Sequence, residues 1–271
     1  MIRSRTYVPL LLLVLASLSF SCKKIIDLNL DTAAQQIIIE GNMTNQREVQ
    51  VVRISRSVPF SEQNKFPAVS GAVVMVTDDA GNSYTLNESF PGVYTVFNVA
   101  GRAGRTYTLH VDVDGQTYTA TSKMPNPVPL DSLTASKESF GRDDRTIVAV
   151  NYNDPPNVAN YYLFKMTVNG VKAERIFSDS DFFTDARKVK TDLYLTSNDN
   201  IEIKDGDNVS VEMQSIDKPV YTYWRSLEQQ YSSGNPNDVT TPSNPPNNLS
   251  NKALGYFSAH TTQTMNVLIS P

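Results

Sequence analysis

The sequence is poor in the residues from which many catalytic and metal sites are built. Its 271 residues include one cysteine and two histidines. A lone cysteine cannot form an intramolecular disulfide, and it excludes zinc sites built from several cysteines. The histidines, His110 and His260, do not form an H-E-x-x-H pair, and the motifs G-x-S-x-G, Walker A and G-x-G-x-x-G are absent. The sequence therefore offers no recognisable catalytic set.

Acidic residues outnumber basic residues in the sequence. The formal net charge is -4, and lysine and arginine do not cluster with aromatic residues anywhere in the chain. A protein that neutralises phosphates needs a basic surface, so we expect no nucleic-acid partner.

The main apolar run is too short to cross a membrane. It covers 13 residues, Val8 to Phe20, whereas a spanning helix needs about 20. Arg3 and Arg5 precede it, which is typical of a signal peptide. A small residue, Ser21, then precedes the lone cysteine, Cys22. This order resembles a lipobox, in which the cysteine becomes the lipid-bearing N-terminus.

The fit to a lipobox is imperfect, since Ser19 occupies the position that usually holds leucine. The alternative is an ordinary secretory signal followed by an incidental cysteine. Cys22 has no disulfide partner, and the polar pair Lys23 and Lys24 follows it, so no core is at hand to bury its thiol. We therefore predict lipid attachment at Cys22.

These assignments imply a lipid-anchored protein. Residues 1–21 are the predicted signal peptide, and residues 22–35 are a tether. Several acyl chains at one point hold a protein firmly on a membrane, because each buried methylene contributes about 0.8 kcal/mol. Lys23 replaces the aspartate that would retain a lipoprotein in the inner membrane, so we expect the outer membrane of a Gram-negative cell. The sequence leaves open whether the protein faces the surface or the periplasm.

Most of the chain after the tether alternates apolar and polar residues with the period of a β-strand. Short turns separate these segments, which is typical of antiparallel sandwiches. Asp114-Gly115 and Asn169-Gly170 are the clearest hairpin signals, because such pairs accept the positive φ angles of a type I′ turn. The predicted strands are 36–40, 49–55, 71–78, 83–88, 92–97, 105–113, 116–124, 145–152, 160–170, 171–178, 190–197, 208–216, 254–260 and 265–270.

The fold class expected from this pattern is mainly β. Residues 36–124 are predicted to form an Ig-like or transthyretin-like antiparallel sandwich, and residues 125–133 a proline-rich linker. Residues 134–271 are a second β-rich domain with one helix at about 218–232. The helix is indicated by a preceding Asp217 and by apolar residues at helical spacing. Those apolar residues are Val220, Tyr223, Trp224, Leu227 and Tyr231.

Carboxylates are the remaining candidates for chemistry. Three pairs lie in polar turns, where solvated acids are the simpler interpretation: Asp143-Asp144, Asp179/Asp181 and Asp205/Asp207. The segment 198–208 is rich in oxygen ligands but lacks the spacing of an EF-hand loop. We therefore predict no catalytic residue, no metal site and no cofactor.

Aromatic residues allow one further hypothesis. Tyr161-Tyr162 and the group Tyr221, Tyr223 and Trp224 either belong to the core or form a stacking platform for sugars. Core packing is the commoner role of aromatics at strand or helix spacing.

Several segments together resemble those of a known family. They include CKKIIDLNL, IIIEGNMT, VSGAVVMVTDDAGNSYTL, PGVYTV, GRAGRTYTLHVDVDGQTYTATSKMP, YTYWRSLE and SNPPNNLSNKALGYFSA. With these segments, the chain is similar, from Cys22 nearly to its C-terminus, to the bacterial lipoprotein family catalogued as domain of unknown function 4249. The resemblance implies an outer-membrane lipoprotein encoded beside TonB-dependent transporters, and it implies no reaction.

The leading functional hypothesis is therefore a non-enzymatic accessory or binding lipoprotein, associated with a TonB-dependent nutrient-uptake system. Its partners would be the membrane, through the N-terminal anchor, and a transporter; the ligand is unknown. Loops 56–70 and 235–251 are the expected recognition surfaces. One alternative is a structural or adhesive surface lipoprotein. Another is a hydrolase with two loop carboxylates within about 10 Å in one cleft.

Overall fold

The computed structural model describes residues 35–59, 65–140, 143–196, 199, 201–232 and 243–270. These residues contain fourteen strands, a short 3₁₀ turn at Asp181–Phe183 and an α-helix, α1, at Lys218–Ser232. The strands are β1 (Ile37–Thr44), β2 (Glu48–Arg56), β3 (Val73–Asp78), β4 (Ser83–Phe90), β5 (Val93–Val99), β6 (Thr106–Val113), β7 (Gln116–Lys123), β8 (Leu130–Phe140), β9 (Asp143–Asn153), β10 (Tyr161–Val168), β11 (Val171–Ser180), β12 (Lys188–Leu193), β13 (Asn208–Ile216) and β14 (Leu254–Leu268).

The first seven strands form a sandwich around their own core. One layer holds β1, β2 and β5, and the other holds β3, β6 and β7. Strand β4 joins the layers, because its first half pairs with β3 and its second half with β5. Ile39, Ile54, Leu109 and Val111 are buried between the layers. The mainly β fold class predicted from the alternating pattern is thus confirmed.

The later strands enclose a second core. Strands β11, β10, β13 and the end of β14 form one sheet, and β12, β9 and β8 form another. Tyr152 of β9 and Tyr162 of β10 belong to the same hydrophobic cluster, with ring centroids 4.7 Å apart. Phe164 and Val150 are fully buried there as well. Aromatic and aliphatic side chains from both sheets therefore fill the space between them.

Strand β14 belongs to both halves. Its residues Leu254 to His260 pair in parallel with β1, and Thr261 to Leu268 pair antiparallel with β13. Two separate strands at 254–260 and 265–270 were expected from the sequence, and this expectation is wrong. The polar residues between them continue the extended chain, because their backbone groups bond to β13.

Strand β8 was not predicted. It begins at Leu130, so the last four residues of the predicted linker 125–133 lie in a strand. Most side chains of β8 are exposed, and the strand lies at an edge of its sheet, paired only with β9. A half-solvated edge strand tolerates serine, threonine and lysine, so it carries little apolar signal.

Both predicted hairpins are present. Val113 pairs with Gln116 across Asp114-Gly115, and Val168 pairs with Val171 across Asn169-Gly170. All four turn residues have positive φ, from 49° to 83°, as a type I′ turn requires.

Helix α1 covers the outer face of the sheet formed by β11, β10, β13 and the end of β14. Val220 packs with Leu163 and Tyr256 in a third small cluster. The carboxylate of Asp217 caps the helix by accepting a bond from the Val220 amide at 3.2 Å. Within the described part of the chain, α1 included, no helix is both long and apolar enough to traverse a bilayer.

Candidate functional site

A cleft of about 520 Å³ lies between α1, the adjoining ends of β10 and β11, and the 3₁₀ turn. We call it the aromatic cleft. Its lining residues are Tyr161, Ser178, Asp179, Ser180, Asp181, Phe182, Phe183, Lys218, Tyr221 and Arg225.

Two phenylalanines stand at this cleft in contact with solvent. Phe182 is 80% exposed and Phe183 is 81% exposed. Their rings meet edge to face, with centroids 4.6 Å apart. Tyr161 and Tyr221 form a second ring pair, with centroids 5.0 Å apart. Exposed aromatic groups beside a concavity are typical of binding surfaces, because burial against a ligand would remove apolar area from water.

Polar groups around the rings are held in place by hydrogen bonds. The Ser178 hydroxyl donates to the Glu228 carboxylate at 2.6 Å, and Arg225 contacts the same carboxylate at 3.1 Å. The Asp179 carboxylate accepts a bond from the Thr191 hydroxyl at 2.7 Å. The cleft thus combines ring faces with charged groups of both signs, the usual composition of a small-molecule site.

An acidic cluster adjoins the cleft. Carboxylate oxygens of Asp154, Asp181 and Asp185 lie within 4.8 Å of one another. Asp181 also lines the cleft, so the two features share a residue. Burial raises the pKa of Asp154, and the negative charges of Asp181 and Asp185 raise it further.

Only two of the aromatic residues considered for a stacking platform lie at the cleft. Tyr161 and Tyr221 line the cleft, but Tyr162 is fully buried in the second core. Tyr223 and Trp224 pack against Tyr256, with centroids 5.2 Å from it in both cases. Alternation along β10 explains the difference, since neighbouring tyrosines of a strand point to opposite faces.

The three candidate carboxylate pairs differ in where they lie and in what they contact. Asp179 and Asp181 both line the cleft. Asp205 forms an ion pair with Lys137 at 2.8 Å, and Asp207 accepts bonds from Asn169 and from the Lys204 amide. The pair Asp205/Asp207 therefore stabilises turns.

The pair Asp143-Asp144 is described only in part. Asp144 accepts a bond from the Ser139 hydroxyl at 2.5 Å, within the β8–β9 hairpin. The side chain of Asp143 lies outside the described residues. Segment 198–208 is also described only in part. Its described acids Asp205 and Asp207 have the partners given above, Asp199 accepts bonds from the amide and hydroxyl of Thr196, and Glu202 forms an ion pair with Lys204.

The histidines do not form an accessible site. His260 is 1% exposed, and its Nδ1 atom lies 2.9 Å from the Ser258 hydroxyl, which is equally buried. Glu212 lies near enough to influence the pKa of His260. A serine, a histidine and a glutamate are thus brought together, but burial keeps substrate away from them. His110 is a half-buried residue of β6.

Several predicted features fall wholly or partly outside the described residues. Cys22 and all of the tether except Gln35 lie outside them, and the loops 56–70 and 235–251 are described only in part. The aromatic cleft lies at neither loop and was missed. Its exposed pair, Phe182-Phe183, follows Asp181 in a polar turn, which was the available signal in the sequence.

Comparison with known proteins assigns the family. The family model described as Domain of unknown function (DUF4249) matches residues 23–266, and the chain belongs to that family. No curated protein sequence matches significantly. A solved chain from a cytokine receptor complex is similar over 86% of this chain and 95% of that chain, with 6% identity and a TM-score of 0.26. So distant a likeness says nothing about function.

Proposed function

We propose that this protein is an outer-membrane lipoprotein, anchored through Cys22, that binds a ligand at the aromatic cleft and serves a TonB-dependent uptake system without catalysing a reaction. The anchor is supported by the apolar run that ends just before Cys22. The transporter partner is supported by what membership of this lipoprotein family implies. The ligand site is supported by the geometry of the cleft.

The exposed ring pair is the observation that carries the binding role. Phe182 and Phe183 leave most of their area in water although each would lose unfavourable hydration by packing inward. Charged and hydroxyl groups converge beside them. A glycan fits this combination, because a sugar ring offers an apolar face to an aromatic ring and hydroxyls to the polar groups around it.

The test is glycan binding by the wild type and by a Phe182→Ala/Phe183→Ala double variant. Loss of the ring surface should weaken binding at least about tenfold, equivalent to 1.4 kcal/mol. Phe97 is a matched control, since it is 68% exposed on β5 of the first sandwich. Phe97→Ala should bind as the wild type does.

Two outcomes would contradict this proposal. Equal binding by the double variant and Phe97→Ala would exclude the cleft as the site. Hydrolysis of the bound glycan by the wild type would favour the alternative of a carboxylate hydrolase, for which Asp179 and Asp181 are the acids in the cleft. An adhesive protein would bind cells or matrix through the same surface and leave uptake unchanged when its gene is deleted.

A further inference from the structure

Two loops next to the second core are joined by backbone hydrogen bonds beside the aromatic cleft. One follows β9 and contains Asp154 to Asn160, and the other follows β11 and contains Asp181 to Arg187. The Asp154 amide donates to the Arg187 carbonyl at 2.8 Å, and the Asp181 amide donates to the Asn160 carbonyl at 3.1 Å. The carboxylates of the acidic cluster thus come from two loops that backbone bonds hold in register.

No basic side chain among the described residues lies within ion-pair distance of this cluster. Asp154, Asp181 and Asp185 form no ion pair with any lysine or arginine among the described residues. Backbone amides approach all three: Asn160 donates to Asp181 and Asn157 donates to Asp185, both at 2.8 Å, and the Ala186 amide lies close enough to the Asp154 carboxylate to lower its pKa. These bonds orient the carboxylates but do not neutralise them.

A buried oxygen in the cluster lacks a partner. Asp154 is 3% exposed, and one carboxylate oxygen accepts a bond from the Tyr162 hydroxyl at 2.5 Å. The other oxygen, Oδ2, has no hydrogen-bond partner. An unpaired buried carboxylate oxygen costs several kcal/mol unless something compensates it.

The same two loops contain two more buried oxygens without partners. These are Oδ1 of Asn160, a residue that is 6% exposed, and Oγ1 of Thr184. Asn160 is bonded through its backbone to Asp181, and Thr184 lies between Asp181 and Asp185 in sequence. Three buried oxygens without partners therefore belong to the two loops that carry the three carboxylates.

We propose that Asp154, Asp181 and Asp185 bind one calcium ion, which holds together the two loops beside the aromatic cleft. Only oxygen donors are present, whereas zinc favours histidine and cysteine ligands. Calcium takes six to eight oxygens at 2.3–2.6 Å and tolerates irregular loops, whereas magnesium needs a near-ideal octahedron. Two oxygens that each lie about 2.4 Å from one ion are at most about 4.8 Å apart, which the cluster satisfies.

This site has a consequence for the cleft. The 3₁₀ turn that carries Phe182 and Phe183 begins at Asp181, which is itself a ligand. The ion therefore fixes the base of the turn on which both exposed rings stand. The proposal does not depend on the identity of the cleft ligand, because it rests on the acidic cluster and on the unpaired oxygens of the same two loops.

The experiment titrates calcium chloride into the full-length protein in detergent, after chelation, and follows the heat of binding. We expect a dissociation constant of about 10⁻⁵ to 10⁻³ M, with magnesium binding more weakly. Terbium, which replaces calcium, should give luminescence sensitised by a tyrosine, since Tyr162 is bonded to a ligand.

The decisive variant is Asp185→Asn, because Asp185 is exposed and its replacement leaves the core intact. It should weaken calcium binding at least tenfold. Asp205→Asn is the matched control, being an acid in another turn that is paired with Lys137. Absence of calcium binding up to about 10 mM would overturn the proposal, since even weak extracellular sites bind below that concentration. Equal affinity of the two variants would overturn it as well.

Discussion

At the scale of single residues, three charged or titratable side chains, of which His260 is buried and Lys165 and Glu212 are half-buried, connect β10, β13 and β14. Lys165, Glu212 and His260 influence one another's charge, and the Glu212 carboxylate also accepts bonds from Gln214 and Thr262. Burial, together with the nearby positive charge of Lys165, lowers the pKa of His260 from 6.5 to about 4. His260 is therefore neutral in the folded protein at pH values where a free histidine would be charged.

This residue makes the fold sensitive to acid. Above pH 6.5 His260 is neutral in both states, whereas between pH 6.5 and about 4 only the unfolded chain binds the proton. Stability is thus lost as the pH falls through that window, by on the order of 3 kcal/mol for this group. His260→Gln should flatten this loss, as measured by urea unfolding at neutral pH and near pH 4.5.

The comparison uses the difference between wild type and variant, because acids such as Glu212 titrate in both proteins. His260→Gln keeps a polar group near Ser258, so the fold should survive the change. Equal loss of stability in the two proteins between the two pH values would show that His260 does not bind the proton on unfolding.

Residue roles were only partly predictable from the sequence. Tyr161 and Tyr162 are identical in type, yet one lines the cleft and the other is buried, and only the register of β10 decides which. Asp154 comes from a different loop than Asp181 and Asp185. Sequence spacing cannot show that proximity, because it depends on how β9 and β11 are placed in two facing sheets.

At the scale of elements, the pairing of β14 with β1 depends on one glycine. Gly255 has a φ of +97°, and a Cβ atom built on it would lie 2.1 Å from the Ile39 carbonyl oxygen. Gly255 and Ile39 are paired residues of the two parallel strands. Close approach of the two backbones therefore requires that this position have no side chain.

Gly255→Ala should consequently destabilise the protein strongly. Backbone must shift to relieve the overlap, so we expect a loss of at least about 3 kcal/mol in the free energy of unfolding. Gly81→Ala is the control, since Gly81 has a φ of +85° but no atom within 4 Å of the added Cβ. The control should cost only about 1 kcal/mol, from the positive φ alone. Similar losses in urea unfolding for the two variants would contradict the close approach.

Strands were predictable where local signals agree. Alternation together with Asp114-Gly115 and Asn169-Gly170 marked two hairpins correctly. Strand β8 was not predicted because an exposed edge strand is polar. Strand β14 was predicted as two strands because its polar centre resembles a loop. In both cases the pairing partner, rather than the local sequence, determines the strand.

At the scale of the whole molecule, the two cores are joined by more than the chain connection. Strand β14 contributes Phe257 to the first core, while Met265 packs against the second. Asp217, the cap of α1, also accepts a bond from the Ser122 hydroxyl of β7 at 2.8 Å. The predicted division into domains 36–124 and 134–271 stays a prediction, but strand pairing continues across it.

The aromatic cleft and the acidic cluster lie around the second core, and the proposed anchor at Cys22 precedes the first sandwich in the chain.

The most direct measurement of the functional proposal is affinity capture of the tagged protein from native membranes, with mass spectrometry of the captured proteins. We expect a TonB-dependent transporter to be enriched, and we expect Cys22→Ser to leave the membrane fraction and lose that partner. A wild-type protein that reaches the outer membrane but captures no transporter would contradict the account. So would a Cys22→Ser variant that stays on the membrane as firmly as the wild type.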